Sequence, residues 1–190
     1  MRKKSLFLMA ALAGAIPLVL GTACGQADRS AQAVVAKAEL QAVADSGVSG
    51  MVTFTEVSGG VSVEAHVNGL TPGKHGFHIH EWGDCSSADG KSAGGHFNPE
   101  GVSHGGPQGR VAHAGDLGNL EADPSGHGML NLVNPRITLG EGAQSVLGRA
   151  VIVHQGQDDL RTQPTGAAGA RVACGVILRE GDGTPRVLPR

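Results

Sequence analysis

The sequence predicts an all-β domain: an eight-stranded Greek-key β-barrel or sandwich with two long functional loops. Several short runs alternate apolar and polar residues and are separated by glycine-rich turns, a pattern typical of half-buried strands. Glycine contributes 31 of the 190 residues, and aromatic residues contribute 3%. The core must therefore consist mainly of aliphatic side chains. Two stretches, 83–110 and 155–170, lack periodicity and are the predicted loops.

Residues 1–23 are predicted to be a secretory signal peptide. A basic start precedes an apolar run over 6–20, which is shorter than the roughly 20 residues that a membrane-spanning helix needs. The small residues before Cys24 resemble a bacterial lipoprotein cleavage site, which would make Cys24 a lipid-modified N-terminus. The alternative is simple secretion with an incidental cysteine. Either way the chain is expected to be exported to the cell envelope or periplasm.

Residues 24–46 are predicted to be a tether, because they are rich in alanine and polar residues and their apolar periodicity is weak. An additional N-terminal helix is the alternative. The folded domain is expected to cover 47–180, and residues 181–190 to form a polar tail. Its strands are expected at 49–57, 61–67, around His78 and His80, and at 117–120, 129–139, 148–154 and 172–178.

The formal net charge of −2 gives no sign of a nucleic-acid partner. An anionic substrate would have to be attracted by local charge.

His78 and His80 are the start of a metal site, because residues i and i+2 of a strand project from the same face. Phe77 and Ile79 then turn to the opposite face. The remaining ligand-type residues are His96, His104, His113, Asp116 and His154. This number is sufficient for two sites. Three imidazoles with one carboxylate suit tetrahedral zinc, and an all-imidazole set suits copper.

Five segments in this order resemble copper/zinc superoxide dismutases of the bacterial secreted type, over about residues 47–179. They are Gly76-Phe77-His78-Ile79-His80-Glu81-Trp82-Gly83-Asp84-Cys85, Gly94-Gly95-His96-Phe97-Asn98-Pro99, His104-Gly105-Gly106-Pro107, His113-Ala114-Gly115-Asp116-Leu117-Gly118 and Arg171-Val172-Ala173-Cys174-Gly175-Val176-Ile177.

The resemblance implies one copper and one zinc per subunit, with His96 bridging both metals as an imidazolate. The implied copper ligands are His78, His80, His96 and His154. The implied zinc ligands are His96, His104, His113 and Asp116. Asp158 would link a copper-ligand histidine to a zinc-ligand histidine and fix their ring orientations.

The resemblance also implies a disulfide between Cys85 and Cys174, which leaves Cys24 over and favours its lipidation. Arg171 would hold the superoxide anion beside the copper. Only a short loop separates Asp158 from Arg171, without the Glu/Lys cluster of better-known relatives. Arg161 and Lys91 are more simply interpreted as solvated surface charges.

The implied activity is dismutation of superoxide to oxygen and hydrogen peroxide. Copper cycles between two oxidation states, zinc is structural, and His96 and Arg171 are catalytic. The alternative is a non-catalytic copper- or zinc-binding module of the envelope on the same fold. The subunit is expected to be a monomer or a homodimer. His66, His75 and His127 are interpreted as structural or surface residues.

Overall fold

The computed structural model describes residues 34–181, which form nine strands and one turn of 3-10 helix. The strands are β1 (Val35–Ala42), β2 (Ser49–Val57), β3 (Gly60–Asn68), β4 (Gly73–His80), β5 (Asp116–Ala122), β6 (Gly128–Asn134), β7 (Ala150–His154), β8 (Arg171–Val176) and β9 (Leu178–Arg179). The 3-10 helix spans Lys91–Ala93. Within this range there is no α-helix, and no helix is long and apolar enough to cross a membrane.

Eight of the strands close into an antiparallel barrel. Their order is β1-β2-β3-β6-β5-β4-β7-β8, and β8 pairs again with β1. The two-residue strand β9 pairs with the start of β1. Strand β3 therefore lies beside β6, and β4 beside β7, which is the Greek-key arrangement. The predicted eight-stranded barrel with two long loops is confirmed, and closure leaves almost no exposed sheet edge.

The barrel interior is filled by aliphatic residues from alternating strand positions. On β3 the inward residues Val61, Val63, Ala65 and Val67 are fully buried, while the residues between them are partly or fully exposed. Phe54 and Phe77 are the largest buried side chains. All five residues of β7 are buried, and Ala150 and Ile152 belong to a second apolar cluster with Val43, Ala93 and Cys174.

The prediction of a tether over 24–46 is wrong from Val35 onward. Residues Val35–Ala42 form β1, which pairs with both β2 and β8 and so closes the barrel. Its inward residues Ala36, Ala38 and Leu40 are almost completely buried. Two of these three are alanines, and alanine favours helices and carries little of the apolar signal that identifies a strand.

The predicted strand 129–139 is too long. Strand β6 ends at Asn134, and Pro135 follows it without a backbone N–H for the next ladder bond. The predicted signal peptide, Cys24 and nearly all of the predicted tail lie outside the described residues. They stay predictions.

Strand β4 lies between β5 and β7. It pairs with β5 from Gly73 to Gly76 and again at His78, with a register shift between these two residues, and it pairs with β7 from Phe77 to His80. The shift is a local bulge, a device that redirects side chains. His78 and His80 follow it directly, so they lie where three strands meet.

Candidate metal centre

Four histidines from different parts of the chain form a first buried cluster. His78 and His80 come from β4, and His154 is the last residue of β7. His96 comes from the long loop and lies against His80 as an isolated β-bridge. The Phe97 N–H donates to the Ile79 carbonyl at 2.8 Å, which ties this part of the loop to β4.

One ring nitrogen of each histidine in this cluster is buried and has no hydrogen-bond partner. These atoms are Nδ1 of His78 and Nε2 of His80, His96 and His154. One ligand atom from each residue lies within 4.8 Å of the others. Buried polar atoms are rarely left without a partner. Four such atoms close together could hold a metal ion.

The opposite ring nitrogens are held in place. His80 Nδ1 lies 3.0 Å from the Gly94 carbonyl oxygen, and His154 Nδ1 lies 3.2 Å from that of Gly169. His78 Nε2 lies 2.7 Å from Asp158 Oδ2. Each contact suits a ring N–H donor, which places the lone pair on the nitrogen that faces the cluster.

A second cluster converges on one carboxylate oxygen. Asp116 Oδ1 lies 2.9 Å from His96 Nδ1, 3.0 Å from His104 Nδ1 and 3.3 Å from His113 Nδ1. Nδ1 of His104 and of His113 has no hydrogen-bond partner in spite of this proximity. Asp116 Oδ2 instead accepts the backbone N–H groups of Gly105 and His113. The four ligand atoms are arranged to surround a cation.

His96 belongs to both clusters, with Nδ1 in the second and Nε2 in the first. Asp158 also joins them, because its Oδ1 lies 3.0 Å from His104 Nε2 while its Oδ2 contacts His78. The Asp158 side chain is completely buried. The structure therefore brings together all seven predicted ligands and Asp158.

Burial keeps the first cluster uncharged. Desolvation lowers the pKa of His96 to about 4 and that of His154 to about 3. It also lowers the pKa of His78, and that of His80 falls well below its usual value. Neutral imidazoles have a free lone pair, so these rings are ready to bind a metal at neutral pH.

His104 differs from these four histidines. Burial alone would lower its pKa, but contacts with Asp116 and Asp158 raise the pKa to about 9. The same contacts overcome the effect of burial on Asp116 and lower the pKa of its carboxyl far below the usual range. Without a metal, a proton on His104 therefore balances the two carboxylates.

Arg171 begins β8 opposite His154. Its two terminal nitrogens donate to the carbonyl oxygens of Gly90 and Gly94, each at 2.6 Å. Its positive charge contributes, after burial, to the lowered pKa values of His80 and His154. The guanidinium is thus a fixed cation beside the first cluster.

The predicted disulfide between Cys85 and Cys174 is confirmed, with a Cα–Cα distance of 5.8 Å. It joins the start of the ligand loop to β8, three residues after Arg171. Lys91 and Arg161 are exposed, and Lys91 forms an ion pair with Asp89 at 2.9 Å. Neither contacts a cluster histidine.

Comparisons with known proteins agree with this geometry. A sequence model of copper/zinc superoxide dismutase (SODC) matches residues 48–177. The chain belongs to the copper/zinc superoxide dismutase family. It is 44% identical over 144 residues to an extracellular superoxide dismutase [Cu-Zn] of the nematode Onchocerca volvulus, covering 70% of this chain and 71% of that protein. The crystal structure of the clock protein EA4 matches with a TM-score of 0.69 and 42% identity, over 75% of this chain and 92% of that one.

Membership of the copper/zinc superoxide dismutase family implies copper and zinc as cofactors, and the donor atoms fit both metals. An all-imidazole set suits copper. Three imidazoles and one carboxylate suit zinc. His96 and His113 also line a cavity of about 440 Å³ beside Glu81 and Gln163.

Several residues that support the two clusters of this superoxide dismutase domain were not predicted from the sequence. Asn119 exchanges two hydrogen bonds with the backbone of Asp158, and Gln163 does the same with the backbone of His104. Gly166 has a φ of 67°, and a Cβ there would collide with the Asp158 carboxylate. The glycine-containing loop 155–170 was recognised, but nothing in its pattern indicated these contacts.

Proposed function

We propose that this chain dismutates superoxide to oxygen and hydrogen peroxide, with His78, His80, His96 and His154 holding copper and His96, His104, His113 and Asp116 holding zinc. The observation that carries this proposal is the pair of buried clusters that share His96. A shared imidazole offers one nitrogen to each metal. Deprotonation of the second nitrogen becomes feasible when cations lie on both sides.

When bound, copper would supply one-electron redox chemistry, and zinc would supply a fixed positive charge. The protein residues supply rigidity and insulation. All seven ligands are at least 95% buried. Asp158 prevents the His78 and His104 rings from rotating independently.

Arg171 attracts and positions the anion. Its guanidinium is permanently charged and carries five N–H donors. The two hydrogen bonds to Gly90 and Gly94 fix the orientation of the group and leave other donors for superoxide. Because the whole chain has a formal charge of −2, this local cation is the feature that selects an anionic substrate.

His96 supplies a proton to the product. The balanced reaction consumes two superoxide anions and two protons and yields one oxygen and one hydrogen peroxide. Nε2 of His96 faces the first cluster, and its Nδ1 faces Asp116. Nε2 is therefore positioned to hold one of these protons between the two half-reactions and to release it to peroxide, and the second proton comes from solvent.

The decisive experiment combines metal analysis with a superoxide-consumption assay. The purified protein should bind one copper and one zinc and remove superoxide. The His96→Ala variant should lose activity and bind both metals more weakly, whereas Lys91→Ala, which alters an exposed residue outside both clusters, should bind them normally. Unaltered zinc affinity in His96→Ala would refute the shared ligand.

The alternative function is a non-catalytic envelope module that binds copper or zinc. The placement of Arg171 favours catalysis, since a metal-storage protein has no need of an anion-binding cation there. Protein that holds both metals and leaves superoxide untouched would establish the alternative.

We further propose that the chain is exported, as a member of the bacterial secreted type, with residues 1–23 as the signal peptide and Cys24 as a lipid anchor in the envelope. The basic and apolar start of the sequence supports export, and the related nematode enzyme is named as extracellular. The mass of the mature N-terminus tests this proposal. A start elsewhere than Cys24, without a lipid, would exclude anchoring.

A further inference from the structure

A row of sulfur and imidazole side chains crosses the outside of the barrel, away from the buried centre. Cross-strand pairing places Met51 of β2 opposite His66 of β3, and His66 opposite Met129 of β6. Directly opposed residues project from the same face of a sheet, with Cβ atoms about 5 Å apart. The three side chains are therefore adjacent on the outer surface.

The methionines of this row are unusually exposed. Met51 is 39% accessible to solvent and Met129 is 56% accessible. The sequence contains four methionines, and these are the two that fall between residues 34 and 181. Methionine normally fills irregular gaps in a core. Here both thioethers of the described region instead flank the same histidine in solvent.

Two further polar residues complete the row. The His127 ring stacks on the His66 ring, with centroids 5.8 Å apart and planes 20° from parallel. Glu64 Oε1 lies 3.1 Å from His66 Nε2. A carboxylate that accepts the N–H of one ring nitrogen leaves the lone pair on the other, which is the usual arrangement behind a metal-binding histidine.

We propose that Met51, His66, Met129 and His127 form a surface site for a single Cu(I) ion. Thioether sulfur is a soft ligand that selects Cu(I), and imidazole is compatible with it. Each methionine has three rotatable bonds, so both sulfurs can reach an ion held at His66 without movement of the backbone.

The site is distinct from the buried clusters. None of its residues belongs to them, and β5 separates β6 from β4, which carries His78 and His80. The binding function is therefore independent of dismutation and would persist in a variant that lacks activity.

The test is an anaerobic titration of the copper- and zinc-loaded protein with Cu(I), in competition with a chromophoric Cu(I) chelator. One Cu(I) per chain should bind in addition to the metals of the centre. The double substitution Met51→Leu and Met129→Leu should weaken this binding at least tenfold. Leucine conserves volume, so the fold should be retained. The matched control is Val57→Leu with Val133→Leu, which alters exposed apolar residues on the same two strands and should leave binding unchanged.

The ε-methyl NMR signals of Met51 and Met129 in the unsubstituted protein provide a second measurement that does not depend on variants. Both should shift on addition of Cu(I). The proposal is overturned if no additional Cu(I) binds, if the leucine variant binds as well as the control, or if the methyl signals do not move.

Discussion

Replacement of Asp158 by asparagine should weaken copper binding more than zinc binding. The carboxylate accepts from His78 through Oδ2, while Oδ1 accepts from His104 and from the Leu160 N–H. An asparagine side chain has one acceptor oxygen and one NH₂ group. The oxygen should occupy the Oδ1 position, where two donors meet, so the NH₂ group faces the His78 N–H.

In the variant, the asparagine NH₂ group and the His78 N–H are two donors that face each other in a completely buried place. His78 cannot move its proton to Nδ1 without losing the lone pair directed at the first cluster. The loss of one hydrogen bond to a charged group costs about 1.5–3 kcal/mol of free energy. That corresponds to a roughly 10- to 100-fold decrease in copper affinity, in agreement with the usual effect of residues that orient metal ligands. Zinc affinity should fall by less than about tenfold.

Competition titrations with a chelator for each metal measure both affinities. The control is Asp159→Asn, which alters the neighbouring exposed carboxylate, whose Oδ1 accepts the N–H groups of Arg161 and Thr162. Copper affinity equal to that of the control, or an equal loss of both metals, would refute the assignment of the two Asp158 oxygens.

The remaining predictions concern the cation, the disulfide and pH. Arg171→Ala should lower the rate of superoxide removal at least tenfold while copper stays bound, because the local positive charge is lost and all seven proposed ligands remain; a full rate with copper bound would contradict the anion-binding role. Cys174→Ala opens a loop of sequence separation 89 and should lower the free energy of unfolding by roughly 4–5 kcal/mol, measured by urea denaturation. In the metal-free protein, the raised pKa of His104 contributes stability below about pH 6.5 that is lost as the pH rises through about 9. The lowered pKa values of His96 and His154 contribute stability above about pH 6.5 that is lost as the pH falls towards 4 and 3. Denaturation of metal-free protein should therefore show maximum stability near neutral pH, and a monotonic profile would refute this balance.

The strands that alternate large aliphatic and polar residues could be located from the sequence, and β2 was predicted with its observed ends. Strand β1 could not, because Ala36 and Ala38 give almost no contrast with their polar neighbours. Its identity depends on pairing with β8, more than a hundred residues away, and local sequence does not encode such a contact.

The residues of the candidate site also divide into those that could be predicted from the sequence and those that could not. The metal-ligating residue types lie in recognisable motifs, so the seven candidate ligands could be named before their positions were known. Their partners use common residues: Asn119, Gln163 and the Gly94 carbonyl have no distinctive spacing. The backbone carbonyl in particular is available at every residue, and only the folded loop determines which one meets His80.

That Gly94 carbonyl oxygen accepts from both His80 Nδ1 and Arg171 Nη2. One backbone oxygen therefore fixes both a histidine ring of the first cluster and the cation that is proposed to hold the substrate. A displacement of this peptide changes metal geometry and anion attraction together. Gly94 has a φ of 78°, and a Cβ there would lie 2.6 Å from the Trp82 ring, so a larger residue would disturb both functions at once. A substitution at Gly94 should therefore affect the proposed capture of the anion and the orientation of the His80 ring together.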